Sequence, residues 1–217
     1  MVREAFDREL ASIREDVLKM GSYAKDSVLW AVQSLKEQNL ELVEKVCKIE
    51  EESDLLNLSV DERCLKVAAL QQPVARDLRF IATMIKISDN FERICDLAVK
   101  ITEITKKTIG RPLLKPLIDI PRMAETVEEM LDIDLQAIAQ QRSVVPEELA
   151  KRDDFIDMLY QQVYNELLTF MMKDPRCIDD ATDLLFVARH LERIGDIVAK
   201  TGARIIYMME GKRVWIK

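Results

Sequence analysis

The string FERICDLAVKI at Phe91–Ile101 returns one hundred residues later as LERIGDIVAKT at Leu191–Thr201, and no other feature narrows the fold as much. Self-similarity at a fixed offset marks a structural unit that has been used more than once. Upstream the match continues at an offset of 103 residues: VLWAVQSL (28–35) lies over LDIDLQAI (131–138), and Glu50 with Asp54 lies over Asp153 with Asp157. The difference between the offsets falls near Pro73 and Pro175, in turns, where changes of length are tolerated.

The repeated unit is helical. From Leu10 the apolar positions Ile13, Val17, Met20, Ala24, Val28, Ala31 and Leu35 advance in steps of three and four, the stripe of a long helix that packs in a bundle. Residues 41–70 continue in the same style until Pro73, and a third helix is predicted from Ala75 to Thr108. Asp174 before Pro175 reads as a cap followed by a first-turn proline, whereas Gln72 before Pro73 is a poorer cap. Gly110, Pro112, Pro116 and Pro121 form the densest cluster of helix breakers. They divide the chain into a first three-helix unit (1–109), a linker (110–121) and a second unit (122–217). The expected fold is all-α, two tandem three-helix bundles, and five Gly and six Pro leave few turn-makers for anything else.

A formal net charge of −7 disfavours nonspecific nucleic-acid binding, which needs a dense basic surface to drive counterion release. Cys47, Cys64, Cys95 and Cys177 form no C-x-x-C pair and read as small buried hydrophobes. No apolar run approaches a membrane span, and MVREAFDRELASIRED lacks the apolar stretch of a signal peptide, so a cytoplasmic protein without membrane insertion is expected.

Each unit carries two acidic pairs spaced i, i+4: Glu50 with Asp54 and Glu92 with Asp96, then Asp153 with Asp157 and Glu192 with Asp196. This spacing puts both carboxylates of a pair on one helix face. Antiparallel second and third helices would then gather four carboxylates per unit. All-oxygen ligation suits Mg, Mn, Ca or iron ahead of zinc or copper. A solvated salt-bridged surface is the plainer account, because the chain has 39 acidic residues and Glu37 with Glu41, Glu125 with Glu129, and Asp179 with Asp183 share the spacing. In that account Arg93 and Arg193 neutralise their neighbours in weak exposed pairs. Recurrence at matched positions and the cost of like charges at i, i+4 favour a cation site.

Other signals are fainter. His190 has no nucleophile placed beside it and reads as a bystander; Met171, Met172, Met208 and Met209 read as core filler, and the tail KRVWIK as a frayed end. There is no phosphate-binding glycine loop, nucleophile elbow or zinc pattern, so no enzyme is expected. Two competing classes are an oxygen-ligated metalloenzyme such as a di-iron oxidase, opposed by the missing Glu-x-x-His motifs, and a membrane-surface amphipathic bundle, opposed by the acidic composition.

QQPVARDLRF at Gln71–Phe80, FERICDLAVKI, LLFVARHLERIGD at Leu184–Asp196 and the ending IIYMMEGK resemble the PhoU family along nearly the whole chain. The resemblance implies two similar three-helix bundles, cytoplasmic residence, homodimerisation, and negative control of phosphate acquisition beside the phosphate ABC transporter ATPase and, in many bacteria, a sensor histidine kinase. It also implies that the eight acidic positions can hold a multinuclear metal cluster, as in some members. Cys95, standing where the second copy has Gly195, departs from the pattern and brings a larger side chain beside the first site.

Overall fold

The computed structural model describes residues 2–71 and 73–216, with side chains from residue 4 onward; the expectation for Gln72 lies outside the described residues. Six helices run in order: α1 (Val2–Glu37), α2 (Leu40–Gln71), α3 (Ala75–Thr108), α4 (Asp119–Gln140), α5 (Pro146–Lys173) and α6 (Ile178–Glu210). No strand occurs among the described residues. The all-α fold expected from the repeat is therefore the fold observed.

The apolar stripe of α1 becomes the heart of the first bundle: Ile13, Val17, Met20, Ala24, Val28, Ala31 and Leu35 are each at most 1% exposed. Burying an aliphatic side chain of this kind stabilises by roughly 1.5–3 kcal/mol, so one helix face supplies a large share of the packing energy. The helix stops at Gln38, whose left-handed backbone (φ 52°) turns the chain toward α2. The Gln38 side-chain amide donates to the carbonyls of Thr108 (3.2 Å) and Arg111 (2.6 Å) and accepts from the Gly110 N–H (3.1 Å). One side chain thereby ties the first hairpin to the end of α3.

Each unit is a three-helix bundle, and the two share one continuous core. The α3–α6 and α1–α4 pairs pack against each other across the repeat, which leaves α2 and α5 on the outside. Gly21 permits the α1–α4 approach, since a Cβ there would stand 2.2 Å from Leu135 Cδ2 and 3.0 Å from the Phe91 ring. Asn90 donates to Thr201 Oγ1 at 2.9 Å across α3–α6, and Lys25 pairs with Asp132 at 2.9 Å across α1–α4.

Helix α4 begins at Asp119, inside the expected linker 110–121, with Pro121 in its first turn. Proline fits there because first-turn N–H groups have no intrahelical acceptor. The α5–α6 turn is a short 3₁₀ segment (Pro175–Cys177), capped as expected by Asp174, whose carboxylate accepts from the Arg176 N–H at 3.1 Å.

Candidate metal centre

The eight acidic positions lie where the second and third helices of each unit face one another. Glu50 and Asp54 on α2 stand opposite Glu92 and Asp96 on α3, and Asp153 and Asp157 on α5 stand opposite Glu192 and Asp196 on α6. Glu50, Glu92, Asp153 and Glu192 are half-buried at the helix–helix groove, while Asp54, Asp96, Asp157 and Asp196 are exposed beside them. The i, i+4 spacing creates this depth difference, because residues one turn apart on a face inclined to the groove sit at different distances from the partner helix.

The half-buried carboxyls of each set feel the charges of the facing helix. Burial raises the carboxyl of Glu50, and the charges of Asp54 and Asp96 raise it further; burial and then Asp54 and Asp96 do the same to Glu92. In the second unit burial, followed by Asp157 and Asp196, pushes Asp153 up to about 6. Asp157 is raised by burial and by Asp196. Glu192 is raised by burial, with Arg189 opposing and Asp196 and Asp157 adding to the shift.

The two clusters differ in counter-charge. Among the described residues none of Glu50, Asp54, Glu92 or Asp96 is in an ion pair, and the nearby Lys100 is engaged with Glu103 at 3.1 Å. In the second cluster Arg189 donates to Glu192 at 2.7 Å and Lys200 to Asp196 at 3.0 Å. Arg189 also lies over the Tyr160 ring, 5.7 Å from its centre. The ion-paired cations are thus Arg189 and Lys200; Arg193 eases the Glu192 charge without pairing to it, and Arg93 is exposed without an ion pair among the described residues. The signal was present as i, i+3 and i, i+4 opposite charges on α6. At the positions matched to Tyr160 and Arg189 the first unit has Asn57 and Asp89, so it has no counterpart of Arg189, and Lys100, matched to Lys200, eases the Glu50 charge without forming an ion pair to the cluster.

Cys95 and Gly195 separate the sites as the sequence suggested. A Cβ on Gly195 would lie 2.9 Å from Ile156 Cδ1 and 3.4 Å from Asp153 Oδ1, so α6 passes close to α5 beside the cluster. Cys95 instead fills that space with a buried thiol that burial pushes up to about 11, the neighbouring Ser53 and Ser27 hydroxyls opposing the rise. Cys64 is buried as expected, but Cys47 and Cys177 are only partly so. His190 is half-buried, lowered by burial and then by Arg193 and Lys100, with the charge of Glu103 opposing. Met208 is core, whereas Met172, expected as core, is 79% exposed. In the tail Val214 and Ile216 pack back onto the core instead of fraying, and Trp215 is exposed.

The donor set fits a hard cation in kind, since every candidate ligand is a carboxylate oxygen. Among the described residues no group of three or more His, Cys, Asp or Glu is arranged to hold a metal ion.

The family model of the PhoU domain matches residues 17–105 and again 120–205, the two helical units already seen as a repeat. The chain belongs to the PhoU family. A relative in Aquifex aeolicus, named a phosphate-specific transport system accessory protein PhoU homolog, is 38% identical over 95% of this chain and 94% of its own length. A Clostridium acetobutylicum relative of the same name is 33% identical over 99% and 98%. The crystal structure of PhoU from Pseudomonas aeruginosa superposes with a TM-score of 0.90 at 29% identity, covering 95% of this chain and 100% of that one. The phosphate transport system regulatory protein PhoU of Streptococcus pneumoniae shares the fold, with a TM-score of 0.85 at 24% identity over 96% of this chain and 99% of that one. No helix among the described residues of this PhoU-family chain is long and apolar enough to cross a membrane.

Proposed function

We propose that this chain is a non-enzymatic, cytoplasmic negative regulator of phosphate uptake and phosphate signalling. It works by contact with the ATPase of a phosphate ABC transporter and, where one is present, its sensor histidine kinase. The observation that carries the reading is the family match over both units, whose relatives are named accessory proteins of phosphate transport. Deleting the gene and measuring phosphate uptake at high and low phosphate tests it: derepressed uptake is expected, and unchanged uptake and regulation overturn it.

The two carboxylate clusters are read as sites for Mg, Mn or iron, singly or as a cluster, with zinc less suited to an all-oxygen set. A bound cation supplies positive charge where the carboxylates repel one another. Glu50, Glu92, Asp153 and Glu192 would hold it from the groove, with the exposed Asp54, Asp96, Asp157 and Asp196 turning inward from the rim. The first cluster, which has no counterpart of the Arg189 pair and whose Lys100 is paired with Glu103, has the greater need of it. Elemental analysis of protein offered each metal is the test, and absence of stoichiometric metal in both units overturns this part.

The chain is further read as a homodimer. Leu55, Leu58 and Leu65 on the outer face of α2 are 69%, 63% and 64% exposed, opposite the buried Val46, Val60 and Val67. Their spacing follows the a/d positions of a heptad, which suits packing against a second long helix.

A further inference from the structure

A cleft of about 470 Å³ opens between the first turns of α1, the start of α3 and the end of α6, far along the bundle from either carboxylate cluster. Leu10, Phe80, Met208 and Met209 give it an apolar lining, and Arg14 and Arg76 border the same space. Val74, Arg76, Asp77 and Phe80 of the stretch VARDLRF supply the α3 side, a motif that neither the bundle core nor the acidic clusters account for.

The arginines are poised and unmatched. Arg14 stacks 5.4 Å over the Phe80 ring and is half-buried, and its only resolved carboxylate influence is its own neighbour Glu15. Among the described residues neither Arg14 nor Arg76 forms an ion pair or a hydrogen bond. Asp7 and Asp77 also line the cleft without pairing to them. Asp77 sits in the first turn of α3, where the helix N-terminus already stabilises its charge. Arg79, the third arginine nearby, lies at the end of α6, its guanidinium 3.6 Å from where a Cβ on Gly211 would stand, and its buried Nε has no hydrogen-bond partner.

Two guanidinium forks bordered by aromatic, leucine and methionine side chains match a carboxylate carried on an apolar segment. Arginine pairs carboxylates bidentately, and methionine adapts to varied apolar side chains. A free small anion would leave the apolar walls unused. Nucleic acid is opposed by the chain's net charge of −7. We infer that this cleft docks a peptide segment of a partner protein in which an acidic residue is flanked by apolar ones. The occupant's being a protein rests on the proposed regulatory reading, which the gene deletion tests separately.

The test uses full-length protein labelled at the methionine methyl groups, titrated with two pools of short synthetic peptides that alternate Leu or Phe with Glu in one pool and with Gln in the other. Met208 and Met209 are expected to shift with the Glu pool alone, while Met158 and Met172 on α5 stay still. The exposed-site change Arg76→Glu is expected to weaken the response at least tenfold, and Arg14→Gln to weaken it as well. An equal response to the Gln pool, a response confined to Met158 and Met172, or no response overturns the inference. So does an Arg76→Glu variant that binds like the parent, or saturation of the same methyl shifts by inorganic phosphate, which would make the cleft a small-anion site.

Discussion

Replacing Asp153 by Asn should make the metal-free protein more stable at neutral pH. Asp153 holds its proton up to about 6 in the folded chain against 3.8 for an ordinary aspartate, because it is partly buried and faces Asp157 and Asp196. The folded state therefore binds more protons than the unfolded state between those two values. Stability is greatest below the lower one, falls as pH climbs through the window, and stays reduced above the upper one. A shift of about two pH units corresponds to roughly 3 kcal/mol, which partial exposure and solvent screening reduce to on the order of 1–2 kcal/mol. Asparagine has nearly the same shape and cannot ionise, so it removes that penalty. At roughly 2–4 °C per kcal/mol for a chain of this size, Asp153→Asn should melt about 2–8 °C above the parent near pH 8 in chelator. The gap should close as pH falls toward about 4, where the parent's Asp153 is neutral too. The assay is thermal unfolding followed by circular dichroism across that range. A variant no more stable than the parent near pH 8, or a gap that does not narrow in acid, refutes the claim that ionising Asp153 in this half-buried, acidic groove costs stability.

Gly21→Val places branched carbon where Leu135 and Phe91 already stand, and should destabilise by about 1–3 kcal/mol in denaturant titration through overpacking of α1 against α4. Asp134 is fully buried, neither carboxylate oxygen has a partner, and burial raises it well above the usual range. Parent stability should therefore decline toward alkaline pH, and Asp134→Ala, which copies the matched Ala31, should abolish that decline in a pH series of melts. Leu58→Lys with Leu65→Lys should leave the helical spectrum intact and convert the species seen by light scattering to a 25.1 kDa monomer.

Much of the candidate site was legible because helical periodicity converts spacing into a shared face. Each acidic pair could be placed on one side of its helix, and the offset of one hundred residues paired α3 with α6 before any contact was known. Arg189 and Lys200 were legible in principle through their i, i+3 and i, i+4 relation to Glu192 and Asp196. Arg193 acts on Glu192 only through space and forms no ion pair with it, because adjacent residues on a helix point about 100° apart. The depth of Met172 escaped because an apolar residue is equally consistent with core or surface until its helix is rotated into place.

The sequence by itself determined the helices, their grouping into two like units, and the set of carboxylates turned to a common face, since all of these follow from local spacing and turn chemistry. Only the tertiary structure decided which helix covers which. It put α3 against α6 and α1 against α4 in one core, left α2 with a second apolar face uncovered, and buried Asp134 against Gly202. It also stacked Arg14 on Phe80 and brought Met208 and Met209 to the same cleft from the far end of the chain. The physical reason is that a helical stripe fixes which residues must leave water but not what they meet there. That choice belongs to close packing between elements distant in sequence, where one glycine or one methyl group sets how near two helices come.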